Sequence, residues 1–322
     1  MVSVYLENGK VELRETPEPP RPEGFARIRL LTGGICNTDL ELQRGYYGFS
    51  GTPGHEFVGE VVEADSPALR GKRVVGEINL ACTNCAWCRR GLGRHCPHRT
   101  VLGIVRHPGA FREFLTLPEH NLHVVPDTVP DELAVFTEPL AAACQILDQV
   151  AIPAGSPVAV LGDGKLGLLI GQVLQAHGCR VHQFGRHREK LAIAERRGVT
   201  VEVVGDSAGE TLPEAAYRWV VDSTGSPDGL RAAIRMVEPC GVVIMKSTVH
   251  GSVAIDTAPV IVNEVTLVGS RCGRFEPALA LLERGAVDVA SMIADRLPLT
   301  EAPKGFEKAA RKGVLKVLLT TS

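Results

Sequence analysis

From Glu138 onward the chain alternates between segments that read as helix and segments that read as strand. EPLAAACQILDQV, KLGLLIGQVLQAHG, REKLAIAERRG and SPDGLRAAIRMVEPCG carry helical patterns, and PVAVLG, RVHQFG, YRWVVDSTG and GVVIMKS carry strand patterns. This alternation predicts βαβ units and a parallel sheet, because parallel neighbours need the crossover that a helix supplies. The strand segments are near-continuous apolar runs, which suits a sheet covered on both faces. The chain before Glu138 reads mainly as β. VSVYLENG and KVELRET are divided by Asn8-Gly9, a hairpin signal, and are followed by FARIRLLTGGIC, EFVGEVVEA, GKRVVGEI, GAFREFLTLP and LHVVP. One helix is expected around NTDLELQRG, and the tail from about Ser270 reads as helix, loop, helix and a last strand in VLKVLLT.

The chain has 322 residues, which at roughly 100–200 residues per domain suggests two domains. Hydrophobic residues make up 44% and charged residues 22%, so disorder and collagen-like repeats are excluded as whole-chain readings. A net charge of −2 provides no field to gather nucleic acid or an anionic membrane, and neither partner is expected. The longest stretch without Asp, Glu, Lys, Arg or His, Gln149–Gly162, is 14 residues and contains two prolines, while a membrane span needs roughly 20. The opening MVSVYLENGKVELRE shows no secretory or transit pattern, so cytoplasm is the expected compartment. Nine cysteines in such a chain argue against a disulfide framework and for metal binding or isolated core thiols.

PVAVLGDGKLGLLIGQVL places Gly162, Gly164 and Gly167 in GxGxxG spacing after a strand and at the opening of a helix. That context suits a dinucleotide. Gly162 allows the tight turn, Gly164 admits the pyrophosphate, and Gly167 allows close helix–strand packing, with Lys165 and Leu166 starting the helix whose N-terminus faces the phosphates. The next strand, RVHQFG, should end in an acid for the adenosine ribose, yet Gly185 stands there, followed by Arg186, His187 and Arg188. A small residue followed by arginine leaves room and charge for a 2′-phosphate, so NADP(H) is expected over NAD(H). The alternative is that Arg186 and Arg188 are solvated residues at a helix start.

Cys82-x2-Cys85-x2-Cys88-x7-Cys96 can close a tetrahedral cage, and four cysteines leave no open position, which makes this a structural zinc lobe. A [4Fe–4S] cluster is the alternative on cysteine count alone. A second set is Cys36 in GGICNTDLEL, His55 and Glu56 in TPGHEFVG, and Glu138 in FTEPLAAAC. Singly these read as a buried thiol, a turn histidine and acids with structural roles. Together a thiolate, an imidazole and a carboxylate make the three-ligand, one-open-position set of a catalytic zinc.

GGICNTDLE, PGHEFVGEVV, the four-cysteine lobe, TEPLAAA, VLGDGKLG, VVDSTGSPDGL and GVLKVLLT together resemble the zinc-containing medium-chain dehydrogenase/reductase family, in its alcohol dehydrogenase and, more narrowly, sorbitol- and threonine-dehydrogenase-like branch. The resemblance implies a GroES-like, mostly β catalytic domain over 1–137 with a zinc lobe at 82–96. It implies a Rossmann domain, a doubly wound parallel sheet, over 138–269, and a return to the first domain over 270–322. It implies Cys36 and His55 as catalytic zinc ligands, with Glu56 or Glu138 as the third, and Asp39 holding His55. Thr38 matches the hydroxyl that receives the substrate proton, and Lys316 matches a basic residue that reaches the cofactor phosphate. Family members often carry a histidine five residues after the cysteine that passes the proton to solvent. Glu41 stands there in this chain, so the relay ends either at Glu41 or at the nicotinamide ribose and water.

The function so implied is hydride transfer between a small-molecule alcohol or carbonyl (secondary alcohol, polyol or amino alcohol) and NAD(P), with one catalytic and one structural zinc, in a homodimer or homotetramer. Two alternatives stand beside it. One is a zinc-independent quinone or enone reductase of the same fold, and the other is a catalytically silent NADPH-binding regulatory protein. Tyr46, Tyr47 and Phe49, between Cys36 and His55, either wall a substrate pocket or pack their own loop down.

Overall fold

A computed structural model describes residues 1–205, 212–249 and 252–321, with Tyr47 described at its backbone alone. The chain forms two compact units, Met1–Glu138 with Ala278–Glu283 and Met292–Ser322, and Pro139–Pro277 with Arg284–Ser291. The later parts of the chain thus return to the first unit twice, with 284–291 going back to the second between them.

The first unit begins with the hairpin Val2–Glu7 and Lys10–Glu15, closed by Asn8 and Gly9 at φ of 48° and 77°. Both central residues have positive φ, the condition of a type I′ turn whose twist matches its strands. Its main sheet is built around Phe25–Gly34, ten residues flanked by Glu56–Glu63 and Lys316–Thr320 and joined also by Phe114–Pro118. Arg73–Gly76 and Leu122–Val124 extend one side and Ile293–Pro298 the other. Ile293–Pro298 and its parallel pairing with Lys316–Thr320 are absent from the sequence reading, because IADRLP alternates half-buried and exposed residues with no apolar run. Residues 79–107 form a separate three-stranded sheet carrying the four-cysteine lobe.

The second unit holds six parallel strands: β1 (Pro157–Leu161), β2 (Arg180–Gly185), β3 (Thr200–Val203), β4 (Tyr217–Asp222), β5 (Val237–Met245) and β6 (Thr266–Gly269). Their spatial order is β3-β2-β1-β4-β5-β6, so the direction of winding reverses between β1 and β4. The crossovers include α1 (Lys165–Ala176), α2 (Arg188–Glu195) and α3 (Pro227–Met236). Ser226 caps α3 by accepting the Gly229 amide at 3.1 Å, and Pro227 fills its first turn, where no amide partner is required. The helix expected over SPDGLRAAIRMVEPCG stops at Met236, and Val237–Met245 is strand throughout. Pro239 cannot continue a helix, and Cys240 takes φ of 59° where the β4–β5 register shifts. Ala159, Leu161, Phe184, Val220 and Val243 form the core on which these helices pack. No described helix is long and apolar enough to cross a membrane.

Candidate active site and metal centres

Sheet register assembles the first site. Gly34, at the end of the central strand, pairs with Glu56 on one side and Leu318 on the other, and the Ile35 amide donates to Val317 O at 3.0 Å. Three adjacent strands therefore bring the approach to Cys36, the start of Glu56–Glu63 and Lys316 to one place. Cys36 is the N-cap of the short helix Asn37–Gln43, in a capping box closed by Asp39. Asp39 is fully buried, and its Oδ2 accepts the Cys36 amide at 2.8 Å. Its Oδ1 accepts the Gly54 amide at 3.1 Å and stands 3.4 Å from His55 Nδ1. One carboxylate thus fixes both loops that present Cys36 and His55.

Cys36, His55 and Glu56 place one ligand atom each within 4.8 Å of one another. His55 and Glu56 are buried, and His55 Nδ1 and Glu56 Oε1 are buried without a hydrogen bond. Burial alone would push the His55 imidazole down; the carboxylate of Asp39 and the Cys36 sulfur outweigh it and hold the ring well above its ordinary range. Lys316 corrects the sequence expectation. Its side chain is 2% exposed, and its ammonium donates to Glu56 Oε2 and to Ile35 O, with the Phe136 ring 5.6 Å away. A lysine sealed inside the first unit and bound to Glu56 is not offered to a cofactor phosphate. Burial lowers its proton affinity, but Glu56, Cys36 and Asp39 together more than offset this and raise it.

With Cys36 as thiolate and His55 neutral, the forms in which both ligate a metal, three buried or half-buried anions (Cys36, Asp39 and Glu56) face one ammonium. The two negative charges left over are what a dication cancels, and buried charge without compensation is costly. The donor set and the orphaned Glu56 Oε1 therefore fit a divalent metal of the zinc type.

Thr38 Oγ1 lies 3.8 Å from Cys36 Sγ. Glu41, one turn further along the same helix, pairs with the exposed Arg44 at 2.6 Å. Glu138, half-buried in the first turn of the helix Thr137–Gln149, is not part of the group whose ligand atoms come together; of the two carboxylates left open by sequence, the geometry gathers Glu56. Tyr46 and Phe49 are half-buried in and beside a short helical turn, while the Tyr47 side chain lies outside the described residues.

The four-cysteine lobe is local. Cys82, Cys85 and Cys88 are half-buried and Cys96 is buried, and four of their Sγ···Sγ separations run from 3.4 to 3.9 Å. A tetrahedron with arms of about 2.3 Å has edges of roughly 3.8 Å, so the sulfurs already stand where a closed zinc shell needs them.

In the second unit the glycine loop lies between β1 and α1, at the C-terminal edge where the winding reverses, the usual place for a dinucleotide in such sheets. Gly162 has φ of 115°, and a Cβ on Gly167 would stand 2.5 Å from Gly162 O. A Cβ on Gly164 would meet nothing within 4 Å, so the N-cap of α1 is open to a ligand, with Lys165 and Leu166 half-buried behind it. Arg188 pairs with Glu195 along its own helix at 2.6 Å. The residue that sequence reasoning missed is Asp163. Its carboxylate accepts from the amides of Arg186 and His187 and from the His187 ring, although only the unusual acid inside G-D-G signalled it.

The family model of the alcohol dehydrogenase GroES-like domain matches residues 22–127, and that of the zinc-binding dehydrogenase matches 166–284. The chain is 31% identical to D-altritol 5-dehydrogenase of Agrobacterium fabrum, with 94% of each covered. The chain belongs to the zinc-containing medium-chain dehydrogenase/reductase family. It is 30% identical to L-threonine 3-dehydrogenase of Chelativorans sp., over 94% of this chain and 92% of that one. Among solved structures, a zinc-binding dehydrogenase of Sinorhizobium meliloti 1021 bound to NADP superposes with a TM-score of 0.91 at 29% identity, covering 99% and 98%. Alcohol dehydrogenase TADH of Thermus sp. ATN1 gives 0.88 at 29%, covering 99% of each chain. This member is accordingly an oxidoreductase of the alcohol dehydrogenase type acting on CH–OH groups, with a GroES-like unit and a Rossmann unit.

Proposed function

We propose that this dehydrogenase interconverts a secondary alcohol, polyol or amino alcohol and its carbonyl, with a catalytic zinc on Cys36, His55 and Glu56, a structural zinc on Cys82, Cys85, Cys88 and Cys96, and a nicotinamide dinucleotide on the Gly162–Gly167 loop. The observation that carries the reading is the convergence of half-buried Cys36 with buried His55 and Glu56, one ligand atom of each within 4.8 Å of the others. The substrate class rests on relatives named for D-altritol, sorbitol and L-threonine.

Zinc held at this cluster supplies Lewis-acid polarisation of the alcohol or carbonyl oxygen, and the dinucleotide supplies or takes the hydride. The chain's own residues do the rest. Asp39 Oδ1, 3.4 Å from His55 Nδ1, favours a proton on that nitrogen and so leaves Nε2 as the ligating nitrogen. Lys316 holds one oxygen of Glu56 and leaves Oε1 for the metal. Thr38 stands beside the Cys36 sulfur and takes the proton that leaves an alcohol, passing it outward past Glu41, whose half-buried carboxylate reaches the exposed Arg44. Gly185 and Arg186 are the ground for expecting NADP(H), and the Asp163 carboxylate beside them weighs the other way.

The test is turnover of a panel of polyols, amino alcohols and secondary alcohols with both dinucleotides. Activity should vanish on chelation, return with zinc, and be absent in Cys36→Ser. Undiminished oxidation by Cys36→Ser would sink the reading.

A further inference from the structure

We propose that Asp163 takes the place of the missing acid at the end of β2, reading the adenosine ribose hydroxyls and selecting NAD(H) over NADP(H). The proposal rests on the nicotinamide-dependent reading above and refines it. In a Rossmann sheet the acid that accepts the ribose 2′-hydroxyl stands at the end of the second strand, and its absence here is what made NADP(H) the expectation.

The structure fills that absence from a different part of the sequence. A Cβ built on Gly185 would stand 2.6 Å from Asp163 Cβ and 2.9 Å from both its Cγ and its Oδ2. Among the described residues beyond its chain neighbours, the three heavy atoms nearest that point all belong to this carboxylate-bearing side chain. An acid at 185 and the present Asp163 exclude each other in space, so the glycine is not an open berth for a phosphate. It is the clearance for a carboxylate that arrives from the glycine loop.

The donors tell the same story. Asp163 Oδ2 accepts the Arg186 amide at 2.7 Å, the His187 amide at 2.6 Å and His187 Nδ1 at 2.9 Å. These are the amides at the start of α2, which would otherwise greet the extra phosphate of NADP(H). They are already spent on an anion, and Oδ1 takes part in none of the three bonds. An ionised acceptor with one oxygen held and one left over suits a vicinal diol. It opposes a dianionic phosphate, which would meet like charge in a half-sealed site. Burial pushes the Asp163 carboxyl up, but the His187 ring and the two amides more than offset it, and the group stays ionised at neutral pH. Arg188 does not redress the balance, because it is paired with Glu195.

The experiment is direct binding of NADH and NADPH to the zinc-loaded full chain, followed by nicotinamide fluorescence without any substrate. Wild type should bind NADH the more tightly. In Asp163→Asn, which keeps the volume, and in Asp163→Ala, the NADH-to-NADPH affinity ratio should move towards NADPH by about a hundredfold, the scale on which one unmatched buried charge discriminates ligands. Asp163→Ala combined with Gly185→Asp should restore the preference for NADH by returning the acid to the strand end. A wild type that prefers NADPH, or variants that weaken both dinucleotides equally, overturn the proposal and leave Asp163 a structural cap of α2. Failure of wild type to bind either dinucleotide overturns the nucleotide reading itself, and the proposal with it.

Discussion

The two proposed metal centres of the first unit are built by opposite means. The four-cysteine lobe draws all its ligands from residues 82–96, and its half-buried sulfurs need only a short helix, Ala86–Arg89, and a tight loop to converge. The Cys36 centre draws on strands that meet only in the folded sheet, with Glu56 and Lys316 separated by 260 positions, and it buries nearly all its charge. A local cage can be closed by the metal itself, whereas a non-local one must be held ready by the fold, and the fold here does so with Asp39 and Lys316. The first centre should therefore matter to folding and the second to chemistry.

That contrast can be broken most severely at the lobe. Cys85→Ser should lose the lobe's zinc and unfold residues 82–96, since structural zinc contributes about 10–16 kcal/mol to small zinc domains, as much as the whole net stability of many proteins. Limited proteolysis should then cut within 82–96, and an uncut lobe would show that the metal there is dispensable. Cys36→Ser should do the reverse, abolishing turnover while moving the melting temperature by only a few degrees.

Lys316→Met probes the contrast from within the proposed catalytic centre. It leaves Glu56 buried without its counter-ion, which costs about 3–5 kcal/mol for a pair of this kind. The loss should be larger without zinc than with it, because the dication compensates the same carboxylate. Urea unfolding in both forms measures this, and equal losses would mean that Lys316 and the metal do not share Glu56. Thr38→Ala should cost about 10²–10⁴ in kcat, the range for a positioned proton acceptor, with little change in melting temperature, and Thr38→Ser should recover most of it.

The smallest effect lies outside both centres, at Asp163. Its carboxyl is held below its ordinary range, so its contribution to stability is present above the unfolded value of about 3.9 and fades as pH falls through the lower folded value. Asp163→Asn should flatten the acid limb of the stability–pH curve below about pH 5, read by urea unfolding across that range beside wild type.

What could be read from the sequence follows the same division between local and non-local. The spacing of Cys82, Cys85, Cys88 and Cys96, the Asn8-Gly9 hairpin and the strand–glycine–helix at 157–176 are local patterns, and the structure shows each. β3 (Thr200–Val203) escaped notice because TVEV is too short to show a period, and Ile293–Pro298 because it lacks an apolar face. Glu56 and Glu138 could not be separated by chemistry, since only sheet register decides which comes to Cys36. Lys316 carries a signal apart from the family match: a single charge inside the apolar run VLKVLLT implies a buried partner, but not which one. Asp163 likewise shows its meaning only when β2 lies beside the glycine loop and its side chain covers Gly185.

We propose above all a catalytic zinc on a pre-built, charge-compensated cage apart from the four-cysteine lobe. The most direct test is zinc per chain, measured on protein purified without chelator and again after zinc loading and desalting. Wild type should hold two zincs, Cys36→Ser one and Glu56→Ala one. A single zinc in fully loaded wild type, unchanged by Cys36→Ser, would contradict it.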